Sequence, residues 1–136
     1  MIVPCSGCVG ARGPCAFVAR PCSNLVAEVS HPSVRVFGRG NPVRILAVDC
    51  GIKYNMIRML VERGAEVKVV PWDHDIAAER DWYDGLFISN GPGDPVQCAS
   101  LITQLKNIVT APASSADKPI FGICLGNQLL GLAAGC

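Results

Sequence analysis

Lys118-Pro119-Ile120-Phe121-Gly122-Ile123-Cys124-Leu125-Gly126-Asn127-Gln128-Leu129-Leu130-Gly131-Leu132 is the stretch on which the reading of this chain turns. Its apolar start, Ile120 to Ile123, reads as a buried strand. Cys124 follows, with one glycine two positions before it and another two positions after. A small-residue apolar segment of helical character comes next. Strand, sharp turn and helix around a nucleophilic side chain form the pattern of a nucleophile elbow, here with cysteine in place of serine. A turn that tight holds its central residue in a strained conformation. It leaves no room for side chains at the flanking positions, which accounts for Gly122 and Gly126. Cys124 would stand above the carboxyl end of its strand at a helix N-terminus, where the dipole favours the thiolate. The Leu125 N–H would point to where an oxyanion develops. A small buried structural cysteine is the competing reading.

The segments upstream raise the first reading over the second. Val43 to Val48 is a compact apolar run closed by Asp49-Cys50-Gly51, a strand ending in a tight loop. Tyr54 to Arg63 carries a helical apolar stripe and stops at Gly64. Glu66 to Val70 and Leu86 to Ile88 are further strands, and Val96 to Val109 is helical. Thr110 to Lys118 is a polar connection into the fourth strand. This alternation predicts an α/β fold, a flavodoxin-like parallel sheet with flanking helices. In such sheets the working loops lie outside the carboxyl ends of the strands. Asp49 to Tyr54, Asn90 to Pro95 and the segment from Cys124 onward all qualify. Gly91-Pro92-Gly93 lacks the third glycine of a dinucleotide fingerprint and the Gly-Lys-Ser/Thr of a phosphate loop. It reads instead as a backbone loop that completes an oxyanion hole with Leu125.

A length of 136 residues, with half of them hydrophobic and 17% charged, fits one globular domain. The net charge of +1, without a run of one sign, gives no reason to expect nucleic acid as a partner. No apolar run approaches the roughly 20 residues of a membrane helix. Four of the eight cysteines (Cys5, Cys8, Cys15 and Cys22) crowd the first 22 residues, and the others are scattered. That is not the even framework of a secreted disulfide protein. Cys5-Ser-Gly-Cys8 lacks a correctly spaced second pair, so no metal site is expected. Residues 1–23 read as a disordered or artefactual tail, with neither the apolar core of a secretory signal nor an Arg-rich presequence. Asn24 to Val29 fits a short helix or strand, and Ser33 to Phe37 alternates weakly. Residues 24–41 therefore read as a pre-domain segment or linker, with Gly38 to Pro42 as the boundary to a main domain at 42–136.

Phe121-Gly-Ile-Cys-Leu-Gly-Asn-Gln128 together with Asn90-Gly-Pro-Gly-Asp-Pro95 resembles the class I (triad-type) glutamine amidotransferases. Val48-Asp-Cys-Gly-Ile-Lys-Tyr-Asn55, Arg63-Gly-Ala-Glu-Val67 and Val70-Pro-Trp-Asp-His74 look like the glutaminase region of glutamine-dependent carbamoyl-phosphate synthetase. The resemblance covers about residues 24 to 135. It implies that Cys124 attacks the amide carbon of L-glutamine, forms a glutamyl thioester and releases ammonia. It also implies that Gly91, Gly93, Leu125 and Gln128 bind glutamine or the oxyanion. The implied partner is a synthetase region, in cis or in trans, that makes carbamoyl phosphate from bicarbonate and ATP. ATP and magnesium belong to that region, and no cofactor is expected in this chain.

The family activates its cysteine with a His and a Glu from a later His-x-Glu segment. Here the chain runs twelve residues past Cys124, and its histidines are His31 and His74. The domain is therefore expected to be C-terminally incomplete, with His74 a structural or surface histidine rather than a base. Asn127, where the pyrimidine-pathway version typically has His, leans toward the mitochondrial, urea-cycle-related branch, and a cytoplasmic location is the alternative. The ammonia-using member of that branch has lost the cysteine, so Cys124 marks a glutamine-using relative. Two functions compete with this one: a generic cysteine hydrolase, and a noncatalytic module that docks on a synthetase partner.

Overall fold

The computed structural model describes residues 23–112 and 118–136. The N-terminal cysteine cluster with its C-x-x-C, residues 1–22 of the expected tail, and much of the 110–118 connection lie outside the described residues. The elements in chain order are α1 (Leu25–Val29), β1 (Arg35–Phe37), β2 (Val43–Asp49), α2 (Tyr54–Glu62), β3 (Ala65–Pro71), β4 (Gly85–Ile88), α3 (Ala99–Val109), β5 (Ile120–Gly122) and α4 (Leu125–Ala134). Short 3₁₀ turns at Ala77–Glu79 and Pro95–Cys98 precede β4 and α3.

The strands form one sheet in the order β1-β3-β2-β4-β5. All neighbouring pairs except β1–β3 are parallel. Ile45 to Val48 of β2 and Leu86 to Ile88 of β4 are apolar on successive residues because both faces of these central strands are covered. Leu46, Val48, Leu86 and Ile88 pack with Leu101, Leu105, Leu125 and Leu129 of α3 and α4 on one face. Ala47, Val67, Val69 and Phe87 pack with Ile57 of α2 on the other. Among the described residues no helix is long and apolar enough to cross a membrane.

Residues 24–41, expected as a pre-domain segment or linker, belong to this packed body. Val26 of α1 is fully buried in the α3/α4 core. β1 pairs antiparallel to β3, with Arg35 opposite Val69 and Phe37 opposite Val67. The reversal has a simple cause: parallel strands need a crossover of a dozen or more residues, and only Gly38 to Pro42 join β1 to β2. The Asn41 amide fastens that turn by donating to the Ala65 carbonyl at 3.0 Å.

The second departure concerns β5. Its position at the sheet edge leaves Phe121 64% exposed, where a buried strand was expected. Phe121 stacks on Phe87 at 6.3 Å. The two rings, with Met56, Met59, Leu60 and Ile123, line a shallow apolar depression beside α2.

Candidate functional site

The chain leaves β5 still paired, since the Ile123 N–H donates to the Ile88 carbonyl at 3.1 Å. It then turns sharply. Cys124 has φ 54° and ψ −111° and is the only non-glycine with positive φ among the described residues. Such a conformation costs on the order of 1–3 kcal/mol and persists only where the surroundings enforce it. The two flanking glycines enforce it by close approach. A Cβ on Gly122 would lie 2.5 Å from the Gly126 carbonyl carbon, and a Cβ on Gly126 would lie 2.3 Å from the Ile88 oxygen. Cys124 caps α4 and its side chain is exposed. Among the described residues the Leu125 N–H has no hydrogen-bond acceptor, while the Leu125 side chain is buried. Gln128 is exposed one turn further along α4, and its N–H donates to the Cys124 carbonyl at 3.1 Å.

The loops after β2 and β4 meet this elbow. The Ser89 hydroxyl accepts from the Cys50 N–H at 2.9 Å and donates to the Asn90 carbonyl. The Asn90 amide donates to the Gly51 carbonyl at 3.0 Å. Gly91 lies so close to both neighbours that an added Cβ would be 2.2 Å from the Cys50 oxygen and 2.7 Å from Leu125 Cδ2. Gly93 is exposed with φ 86°. The three loops singled out from the sequence therefore form one cluster, with Gly91 wedged between β2 and the elbow.

Asp49 supports this cluster, a role the sequence reading missed. Its buried carboxylate accepts from the N–H groups of Gly51 and Ile52 at 2.9 Å each, from the His31 N–H, and from the Arg35 guanidinium at 3.4 Å. The signal available was Asp at the end of an apolar run followed by Cys-Gly, a pattern suited to an Asx turn.

Cys50 and Cys98, by contrast with Cys124, are buried. Burial, with help from Cys98 and Asp49, pushes the Cys50 thiol up to about 12. Burial raises Cys98 as well, aided by Asp94. Both are poor nucleophiles, because the thiolate is the reacting form. Cys136 is exposed at the far end of α4.

His74 is held away from Cys124. Its Nε2 meets Glu79 Oε1 at 3.2 Å, and the other Glu79 oxygen accepts from Lys68 Nζ at 2.8 Å. β3, which leads to His74, lies three strand spacings from β5, roughly 14 Å. His31 bonds to Ser33. The Lys68 hydrogen bond, followed by that of His74, holds the Glu79 carboxyl below its ordinary value. A carboxyl with a lowered pKa in the fold stabilises above its unfolded pKa, and that contribution is lost as pH falls. Glu79→Gln is therefore expected to lower the melting temperature at pH 7, and the gap should shrink toward about pH 3 as the carboxyl protonates in the folded state. An equal gap at both pH values would refute the charge role of this pair. Among the described residues no group of three or more His, Cys, Asp or Glu is placed to hold a metal ion.

Residues 46–136 match the glutamine amidotransferase class-I family. Over 122 residues, 90% of the chain, the sequence is 52% identical to the protein named "Carbamoyl-phosphate synthase [ammonia], mitochondrial" of Aquarana catesbeiana. It covers 8% of that protein, so the chain spans less than a tenth of this relative. Over 95 residues, 69% of the chain, it is 54% identical to the "Carbamoyl phosphate synthase arginine-specific small chain" of Kluyveromyces lactis, of which it covers 23%. Among solved structures it is similar to a putative GMP synthase component from Thermoplasma acidophilum. The TM-score is 0.56 at 30% identity, over 68% of this chain and 45% of that one.

Proposed function

This chain belongs to the class-I glutamine amidotransferase family, and on that premise we propose that Cys124 is the nucleophile that removes the amide of L-glutamine. The carrying observation is the strained, exposed Cys124 between Gly122 and Gly126, beside a Leu125 N–H that has no acceptor among the described residues. The thiolate forms a C–S bond at the amide carbon. The carbonyl electrons move onto oxygen, where the Leu125 N–H and the Gly91–Gly93 loop receive the charge. Collapse of this adduct breaks the C–N bond, and the nitrogen leaves as ammonia once protonated. Water then cleaves the thioester, giving glutamate and the free thiol. Gln128, exposed one turn along α4 from Cys124, is the contact for the substrate's polar end.

The base is proposed to come from the family's His-x-Glu segment, because His74 is committed to Glu79. The released ammonia serves carbamoyl phosphate synthesis in a synthetase region with its own ATP and magnesium, in keeping with the names of the relatives. One of those names specifies ammonia, and Cys124 favours glutamine instead. The mitochondrial wording of the same name supports a mitochondrial location.

The commitment of His74 to Glu79 also favours a second reading, a docking module without turnover. Covalent labelling separates the two. A diazoketone analogue of glutamine is expected to label Cys124, located by peptide mass spectrometry, and millimolar glutamine is expected to block it. Labelling that glutamine leaves untouched would refute the glutaminase reading.

A further inference from the structure

We propose that Asn24 and Leu25, which precede the family-matched residues, are positioning residues for the Gly91–Asp94 loop. This rests on the glutaminase reading for its consequence in catalysis. α1 lies across the loops of the site. The Asn24 side chain does two things at once. Its oxygen accepts from the Ala27 N–H at 3.2 Å and so caps α1. Its amide N–H reaches 73 residues along the chain to the Gln97 carbonyl at 3.0 Å. Gln97 sits in the 3₁₀ turn that closes the glycine loop, a turn capped in its own right by Asp94 at the Val96 N–H. Leu25 lies against the loop itself, since a Cβ on Gly93 would be 3.3 Å from Leu25 Cβ. Val29, one turn on, lies beside Gly51 in the same way, at 3.1 Å.

A loop with a glycine at φ 86° has many accessible conformations and needs external restraint to present its N–H groups in one of them. The restraint found here is a long-range hydrogen bond on one side and an apolar side chain on the other. Val26, buried in the core, anchors the helix that carries both. Leu25 is itself 40% exposed. Its contact is made at the rim of the site, where its removal alters the loop more than the core.

Asn24→Asp separates the two jobs of the side chain. It keeps the acceptor that caps α1 and removes the donor to Gln97. In the full chain, amide exchange over Gly91–Cys98 is expected to speed up. The half-saturating concentration of the diazoketone glutamine analogue at Cys124 is expected to rise about fivefold, the effect of one lost hydrogen bond. Its labelling rate at saturation and the rate with iodoacetamide should hold. Leu25→Ala should act in the same direction. Unchanged exchange and half-saturation in Asn24→Asp would overturn the proposal, as would an equal slowing of both reagents. Faster exchange in a protein whose Cys124 glutamine never protects would leave the brace standing and remove the glutaminase reading alone.

Discussion

Cys124→Ala is expected to abolish both covalent capture of the glutamine analogue and release of ammonia from glutamine, a loss on the order of 10⁴-fold or more wherever the parent turns over. No other described thiol stands ready to replace it. Cys50 and Cys98 are buried and hard to ionise. Cys136 lies the length of α4 away, roughly 15 Å along the helix. Alanine keeps the Cβ, so the turn at φ 54° stays as strained as before, and the fold should melt within about 1 kcal/mol of the parent. A selective loss of chemistry in an intact fold is thus the expected signature. Ammonia release by the alanine variant at the parent rate would show that the nucleophile lies elsewhere.

Gly126→Ala is expected to have a large effect on the fold from a single methyl group. The new Cβ would lie 2.3 Å from the Ile88 oxygen, 2.8 Å from its carbon and 2.9 Å from the Ser89 oxygen. All three are backbone atoms of β4 or the residue after it. β4 is fixed between β2 and β5 and cannot retreat. α4 must lift instead, at a cost of roughly 3 kcal/mol, and it carries the elbow with it. Urea unfolding should show a lower midpoint. Iodoacetamide should still find Cys124, while the glutamine analogue should lose its selectivity. Gly131 on the same helix has open space around it, so Gly131→Ala should be neutral or stabilising by up to about 1 kcal/mol. Equal urea midpoints for Gly126→Ala and the parent would show that the glycine is not required by packing.

The core strands and the elbow were legible because their constraints are local. The β2 run, the α2 stripe with its stop at Gly64, and Gly-x-Cys-x-Gly each state their geometry within a few residues. Convergence of the Asp49, Asn90 and Cys124 loops followed from the parallel order alone. What stayed hidden depends on distant partners. The short turn after Phe37 implies that β1 runs opposite to β2, but nothing near Arg35 reveals that its partner is β3. The exposure of Phe121 depends on β5 lying at an edge, and an apolar run of four residues reads the same at an edge as in the middle. Asn24 looks like an ordinary helix cap until its amide is seen on Gln97. His74 was read as structural, and its pairing with Glu79 supplies the reason.

The strand order also carries a timetable. β1, β2 and β3 find one another within the span from Arg35 to Pro71, so half of the sheet can assemble from a short, contiguous piece of chain. The left-handed backbone at Cys124 is prepared by its flanking glycines but is not completed by them. It exists only once Gly126 is pressed against Ile88, after β5 has returned across α3 to join β4. The turn that presents the thiol is thus shaped by the crossover from β4 to β5. Until that crossover closes, Cys124 lacks the packed glycine contacts that impose its turn.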